Sequence, residues 1–124
     1  MKLYQKIAST IIAAHNCEKS ANLDWLKKHK ETLCDIEKDI LPHGSGIDSG
    51  CTINLDKSSD SKIVIDVPYH CMNENGFYDG WRDYQIIIKA HLSFGFTVDV
   101  KGRDYNGLKD YLADLFHHVM NEEV

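Results

Sequence analysis

Apolar residues recur along this chain first at helical spacing, then in strict alternation, then at helical spacing again. Over residues 2–16, Leu3, Ile7, Ile11 and Ala14 fall at steps of three and four, with Tyr4, Ala8 and Ile12 beside them. That spacing predicts an amphipathic helix with a broad apolar face. The stretch Asn16-Cys17-Glu18-Lys19-Ser20-Ala21-Asn22 breaks the pattern, and Asn22 has the side chain of an N-cap, able to accept from a free N–H of the next first turn. Residues 23–40 place Leu26, His29, Leu33, Ile36 and Ile40 on one stripe, and Pro42 stops the helix. Lys27, Glu31 and Asp35 follow one another at i, i+4 and give the exposed face mixed charge. The two helices are expected to form an antiparallel hairpin.

The period then changes to two. Ile53 and Leu55 alternate with Thr52, Asn54 and Asp56, and 57–61 is a turn by composition. Ile63, Ile65, Val67 and Tyr69 oppose Val64, Asp66, Pro68 and His70. Pro68 cannot donate to a ladder, so this strand is expected to have an edge or a bulge there. Over 81–92, Tyr84, Ile86, Ile88, Ala90 and Leu92 oppose Trp81, Asp83, Gln85, Ile87, Lys89 and His91. Phe94, Phe96, Val98 and Val100 make a fourth strand, starting near Gly95, and residues 102–107 turn the chain into a last helix with Leu108, Tyr111, Leu112, Leu115 and Val119 on its face.

The order is α-α-β-β-β-β-α. Connections of hairpin length join antiparallel strands only. The expected fold is α+β, with a four-stranded antiparallel sheet covered on one face by the N-terminal helical hairpin and the C-terminal helix. The length, 124 residues, suits a single domain spanning 1–124. Net charge of −5 argues against general nucleic-acid binding, which calls for a basic field. Apolar runs such as 86–88 are too short to cross a bilayer, and the N-terminus lacks a basic start followed by an apolar stretch. A cytoplasmic protein without a membrane partner is expected. Cys17, Cys34, Cys51 and Cys71 have no C-x-x-C spacing, so they are read as free thiols and not as zinc ligands.

Two loops carry residues that a core does not need. The first, 41–50, is Leu-Pro-His-Gly-Ser-Gly-Ile-Asp-Ser-Gly. The second, 70–81, contains Asn73-Glu74-Asn75-Gly76-Phe77-Tyr78-Asp79-Gly80-Trp81. Gly44-Ser45-Gly46 has the composition of an anion nest, but it lacks the Lys-Ser/Thr ending of a P-loop and precedes a strand, unlike a dinucleotide fingerprint. The alternative is a helix-to-strand connection whose glycines supply positive φ. His43, Asp48 and His70 are of metal-ligand type, but nothing in their spacing demands a metal, and no cofactor fingerprint is present. Tyr78 and Trp81 offer stacking surface, Arg82 and Arg103 offer charge for a phosphate or carboxylate. The candidate binding residues are therefore His43, Ser45, Asp48, His70, Tyr78, Asp79, Trp81, Arg82 and Arg103, provided that the two loops meet at one end of the sheet.

Several stretches taken together, Asn16-Cys17-Glu18-Lys19-Ser20, the 41–50 loop, Asn54-Leu55-Asp56, Met72–Gly76, Tyr78–Trp81, Gly102-Arg103-Asp104 and Leu108-Lys109-Asp110-Tyr111, resemble a family of small hypothetical proteins carried on plasmids, phages and integrative elements. The resemblance covers nearly the whole chain. The family pattern has a second His after His70, where this chain has Cys71, which weakens a His-pair site there. The resemblance implies a mobile-element setting and no mechanism. Two functions follow as expectations. One is a non-catalytic binding protein that contacts a host protein as a counter-defence inhibitor, or sequesters a small anionic ligand. The other is a small metal- or His-dependent hydrolase or nucleotide-processing enzyme at the His43–Asp48/His70 loops. The first is favoured, because no catalytic spacing is present. A homodimer through the helix hairpin, or through the sheet edge away from Pro68, is also open.

Overall fold

Three helices lie side by side across one face of a four-stranded sheet. The computed structural model describes residues 1–44, 46–47, 50–72, 75, 78–91, 93 and 95–124; of Met72, Tyr78, Asp79 and Trp81 it describes the backbone alone. The elements are α1 (Leu3–Lys19), α2 (Leu23–Asp39), β1 (Thr52–Ile53), β2 (Lys62–Met72), β3 (Tyr78–His91), β4 (Gly95–Lys101) and α3 (Leu108–Met120). The strands are antiparallel and lie in chain order, β1-β2-β3-β4. The α+β fold expected from the alternation is the one found.

The helices end where local chemistry stops them. α1 starts with the Lys2 backbone N–H donating to Gln5 Oε1 at 2.8 Å. It runs through Asn16–Lys19, which the polar composition alone does not predict, because those residues need only an exposed turn of helix. It closes with Asn22 N–H donating to Cys17 O at 2.9 Å and with Ala21 in the left-handed region, φ 57°. Asn22 then caps α2 by accepting from Trp25 N–H. Leu41 N–H donates to Ile36 O at 3.0 Å as the chain turns into Pro42.

The helix layer runs α2, α1, α3 beneath β1, β2 and β4. Between the layers lie Leu3, Ile7 and Ile11 of α1, Leu33 and Ile36 of α2, Ile63, Ile65 and Val67 of β2, Tyr84, Ile86 and Ile88 of β3, and Leu112, Phe116 and Met120 of α3. Each fully buried aliphatic chain contributes about 1.5–3 kcal/mol relative to exposure. Phe96 of β4 sits between Tyr4 and His117, at centroid distances of 4.5 and 4.8 Å, and ties α1 and α3 to the last strand.

The opposite sheet face is open. Thr52, Asp66, Gln85 and Lys101 form one cross-strand row over all four strands. Asp66 accepts from Asn54 Nδ2 at 3.1 Å and from Gln85 Nε2 at 3.0 Å. Val64, expected on this solvated face, is buried instead. The 55–61 turn folds over it: Ser58 Oγ accepts from Val64 N–H at 3.0 Å and donates to Asn54 O at 2.7 Å. β1 is short, so β2 runs on past its Thr52↔Asp66 pair beyond the end of that strand. Pro68 lies in this stretch and pairs only with Asp83, which is how a residue without an N–H fits an inner strand. The register shifts between His70 and Met72.

Candidate functional site

The 41–50 loop reaches the far end of β2 because its glycines allow it. Gly44 (φ 80°) and Ile47 form a closed pair, each N–H donating to the other's carbonyl at 3.0 and 2.9 Å. Those two donors are committed within the loop. Gly46 (φ 102°) passes against the Tyr69 ring so closely that a Cβ would lie 2.5 Å from Tyr69 Cζ. Its carbonyl accepts from His70 N–H at 2.8 Å. His70 in turn pairs with Trp81 across the ladder. The glycine loop and the 70–81 corner therefore meet through the backbone of β2.

On the helix side of this junction lies a cleft of about 440 Å³, lined by Tyr69, His70, Cys71, Tyr105, Asn106, Gly107, Leu108 and Tyr111. It exists because the core stripe of β2 continues past the point where α3 begins. Arg82 pairs with Tyr69 across the ladder, so it belongs to the same face, and its guanidinium lies 5.9 Å from the Tyr105 ring centroid. Tyr84 stands edge-on to Tyr69, with centroids 6.4 Å apart. Tyr84 is 1% exposed, and its hydroxyl has no hydrogen-bond partner among the described residues. A buried hydroxyl left so is costly. Gly102 lies against the same ring, where a Cβ would come within 2.6 Å of Cδ1.

Burial keeps two phenols next to the cleft protonated. Burial pushes the Tyr84 phenol above its ordinary value; Cys71, Asp104 and Tyr69 add to this and Arg82 opposes it. Burial also raises Tyr69, helped by Tyr111 and Cys71. Both remain hydrogen-bond donors at neutral pH. The start of α3 adds the positive end of a helix dipole at Asn106–Leu108, although Asp104 accepts from Lys109 N–H at 3.4 Å and offsets part of it. Arg82, the helix start and the neutral Tyr69 phenol make an arrangement suited to an anion with an apolar body.

Of the residues expected at the site, His70 and Arg82 are brought to this cleft region. His43 is not. It lines a separate depression of about 540 Å³ with Glu37, Lys38, Gly44, Gly50, Cys51 and Thr52. There Ile53 N–H donates to Glu37 Oε1 at 2.6 Å, and Cys51 Sγ–H donates to Pro42 O at 3.2 Å. Burial, with Glu37 adding, pushes the Cys51 thiol up to about 12, which makes it inert at neutral pH. Arg103 is exposed in the β4–α3 connection and does not line the cleft. Ser45 and Asp48 lie outside the described residues, as do the side chains of Tyr78, Asp79 and Trp81. Among the described residues no three His, Cys, Asp or Glu side chains are gathered to hold a metal ion, and no helix is long and apolar enough to cross a membrane.

Sequence reasoning missed Tyr69, Tyr105 and Tyr111. Tyr69 and Tyr111 fall on apolar stripes and were assigned to the core by periodicity. The available signal was the phenol itself: a tyrosine at the end of a buried stripe places a polar tip where the stripe runs out. Comparison of the chain with models of protein families, with curated proteins and with solved structures finds no match.

Proposed function

We propose that this protein is a non-catalytic binding protein that holds an anionic group in the cleft between the end of β2, the 105–107 bend and α3. One observation carries the reading: a tyrosine-lined cleft of about 440 Å³ beside the Arg82 guanidinium, at the N-terminal end of α3. The anion is a small molecule or an acidic side chain of a host protein. The mobile-element setting implied by the sequence resemblance favours the second source, as in a counter-defence inhibitor. Binding is preferred to hydrolysis because His43 and His70 open into separate cavities.

The test is a melting-temperature series with inorganic phosphate, adenosine monophosphate and citrate, on the wild type and on Arg82→Gln. A ligand that binds only the native state at 100 times its Kd stabilises by about 2.7 kcal/mol. Saturable stabilisation by at least one anion, lost in Arg82→Gln, is expected for a small-molecule ligand. Capture of one host protein, lost in Arg82→Gln and competed by free glutamate-rich peptide, is expected for the protein source. Neither effect, or either one undiminished in Arg82→Gln, refutes the reading.

A further inference from the structure

The two edges of the sheet are built differently. At the β1 edge the strand is two residues long, the Ile53 N–H is occupied by the Glu37 carboxylate at 2.6 Å, Pro68 removes a donor beyond β1, and the glycine loop covers His70 N–H. Each is a known way of blocking an edge. The β4 edge has none of them. Gly95–Lys101 runs seven residues without proline, and its pairing with β3 is continuous from Gln85↔Lys101 to His91↔Gly95. Among the described residues no backbone group outside β3 bonds to it. Thr97, Asp99 and Lys101 are exposed on the open face, and Val98 and Val100 are half-buried at the rim of the core.

We propose that β4 pairs antiparallel with β4 of a second copy of this chain, about a two-fold axis at Val100, to make a continuous eight-stranded sheet. In such a pair, residues equally spaced on either side of the axis face each other. An axis at Asp99 sets Asp99 against its own copy. An axis at Val98 sets Asp99 against Thr97 and leaves Lys101 facing Gly95. An axis at Val100 sets Asp99 against Lys101 twice, satisfying both charges on the open face, and brings the two Val100 side chains together on the helix side. Opposite charges directly across a strand pair stabilise it and like charges destabilise it. The backbone supplies the attraction, and the alternating charges supply the register.

Sedimentation equilibrium of the full chain from micromolar to millimolar concentration tests this, with two exposed-site variants. Wild type is expected to approach twice its 14.2 kDa chain mass as concentration rises. Asp99→Lys gives an edge with lysines at 99 and 101, and Lys101→Asp gives one with aspartates at both. Each alone is expected to stay at the chain mass, and an equimolar mixture is expected to recover the dimer. Wild type that remains monomeric throughout overturns the proposal without recourse to any variant. Single variants that dimerise as wild type does, or a mixture that stays monomeric, overturn it equally. Unchanged circular dichroism of the variants establishes that they are folded.

Discussion

Gly44 and Gly46 are two residues apart, share positive φ, and differ in what surrounds them. A Cβ at Gly44 meets nothing within 4 Å, whereas one at Gly46 meets the Tyr69 ring at 2.5 Å. Gly44→Ala should cost only the left-handed backbone penalty, about 1–2 kcal/mol. Gly46→Ala should add overpacking of about 1–3 kcal/mol, for a total of about 2–5 kcal/mol. Urea denaturation of the two variants checks the difference. Both glycines were legible in the sequence as turn formers. Their inequality was not, because it depends on Tyr69, which lies far along the chain and approaches only after β2 has formed. The same holds for Tyr84: alternation assigns it to the core face, and nothing local to it reveals that its hydroxyl finds no partner among the described residues.

The elements were legible wherever a period was sustained. Leu3-Ile7-Ile11-Ala14 and Ile63-Ile65-Val67 are long enough repeats to fix helix and strand and their buried faces. The first strand was legible from the alternation over 52–56, but it is shorter than that, Thr52–Ile53, and a helix side chain, Glu37, holds its Ile53 N–H. Burial raises Glu37 above its ordinary value of 4.5, and the Ile53 N–H and Lys38 hold it back. A carboxyl raised in the folded state favours folding while protonated. That contribution is whole below about pH 4.5 and is lost as pH rises through the folded-state value. Glu37→Gln keeps an acceptor for Ile53 N–H and removes the charge. Its melting temperature should therefore lack the decline from pH 4.5 upward and should match or exceed wild type at pH 7. Glu37→Ala leaves a buried N–H unsatisfied and should cost about 1–3 kcal/mol. Melting curves across this pH range separate the two effects.

At the scale of the whole molecule, the sheet presents a helix-covered face, an open face and one unblocked edge. The meeting of the two loops through Gly46, His70 and Trp81 was a condition set by the sequence analysis, and the backbone fulfils it. The cleft itself was hidden, since its walls come from three separated segments, β2, the 105–107 bend and α3. Beneath it, Tyr84→Phe removes a buried hydroxyl that has no partner among the described residues, so unfolding free energy should stay level or rise by up to about 1 kcal/mol. Urea denaturation checks this, and a clear loss of stability overturns it.

The bond from His70 to Gly46 has one more consequence. His70 lines the cleft and gives its amide proton to the glycine loop, so a single residue belongs to both. Whatever enters the cleft and shifts His70 also tugs the carbonyl of a segment that never touches the guest. The amide resonances of Gly44 and Ile47 thus become a built-in reporter, readable in solution before any ligand has been named.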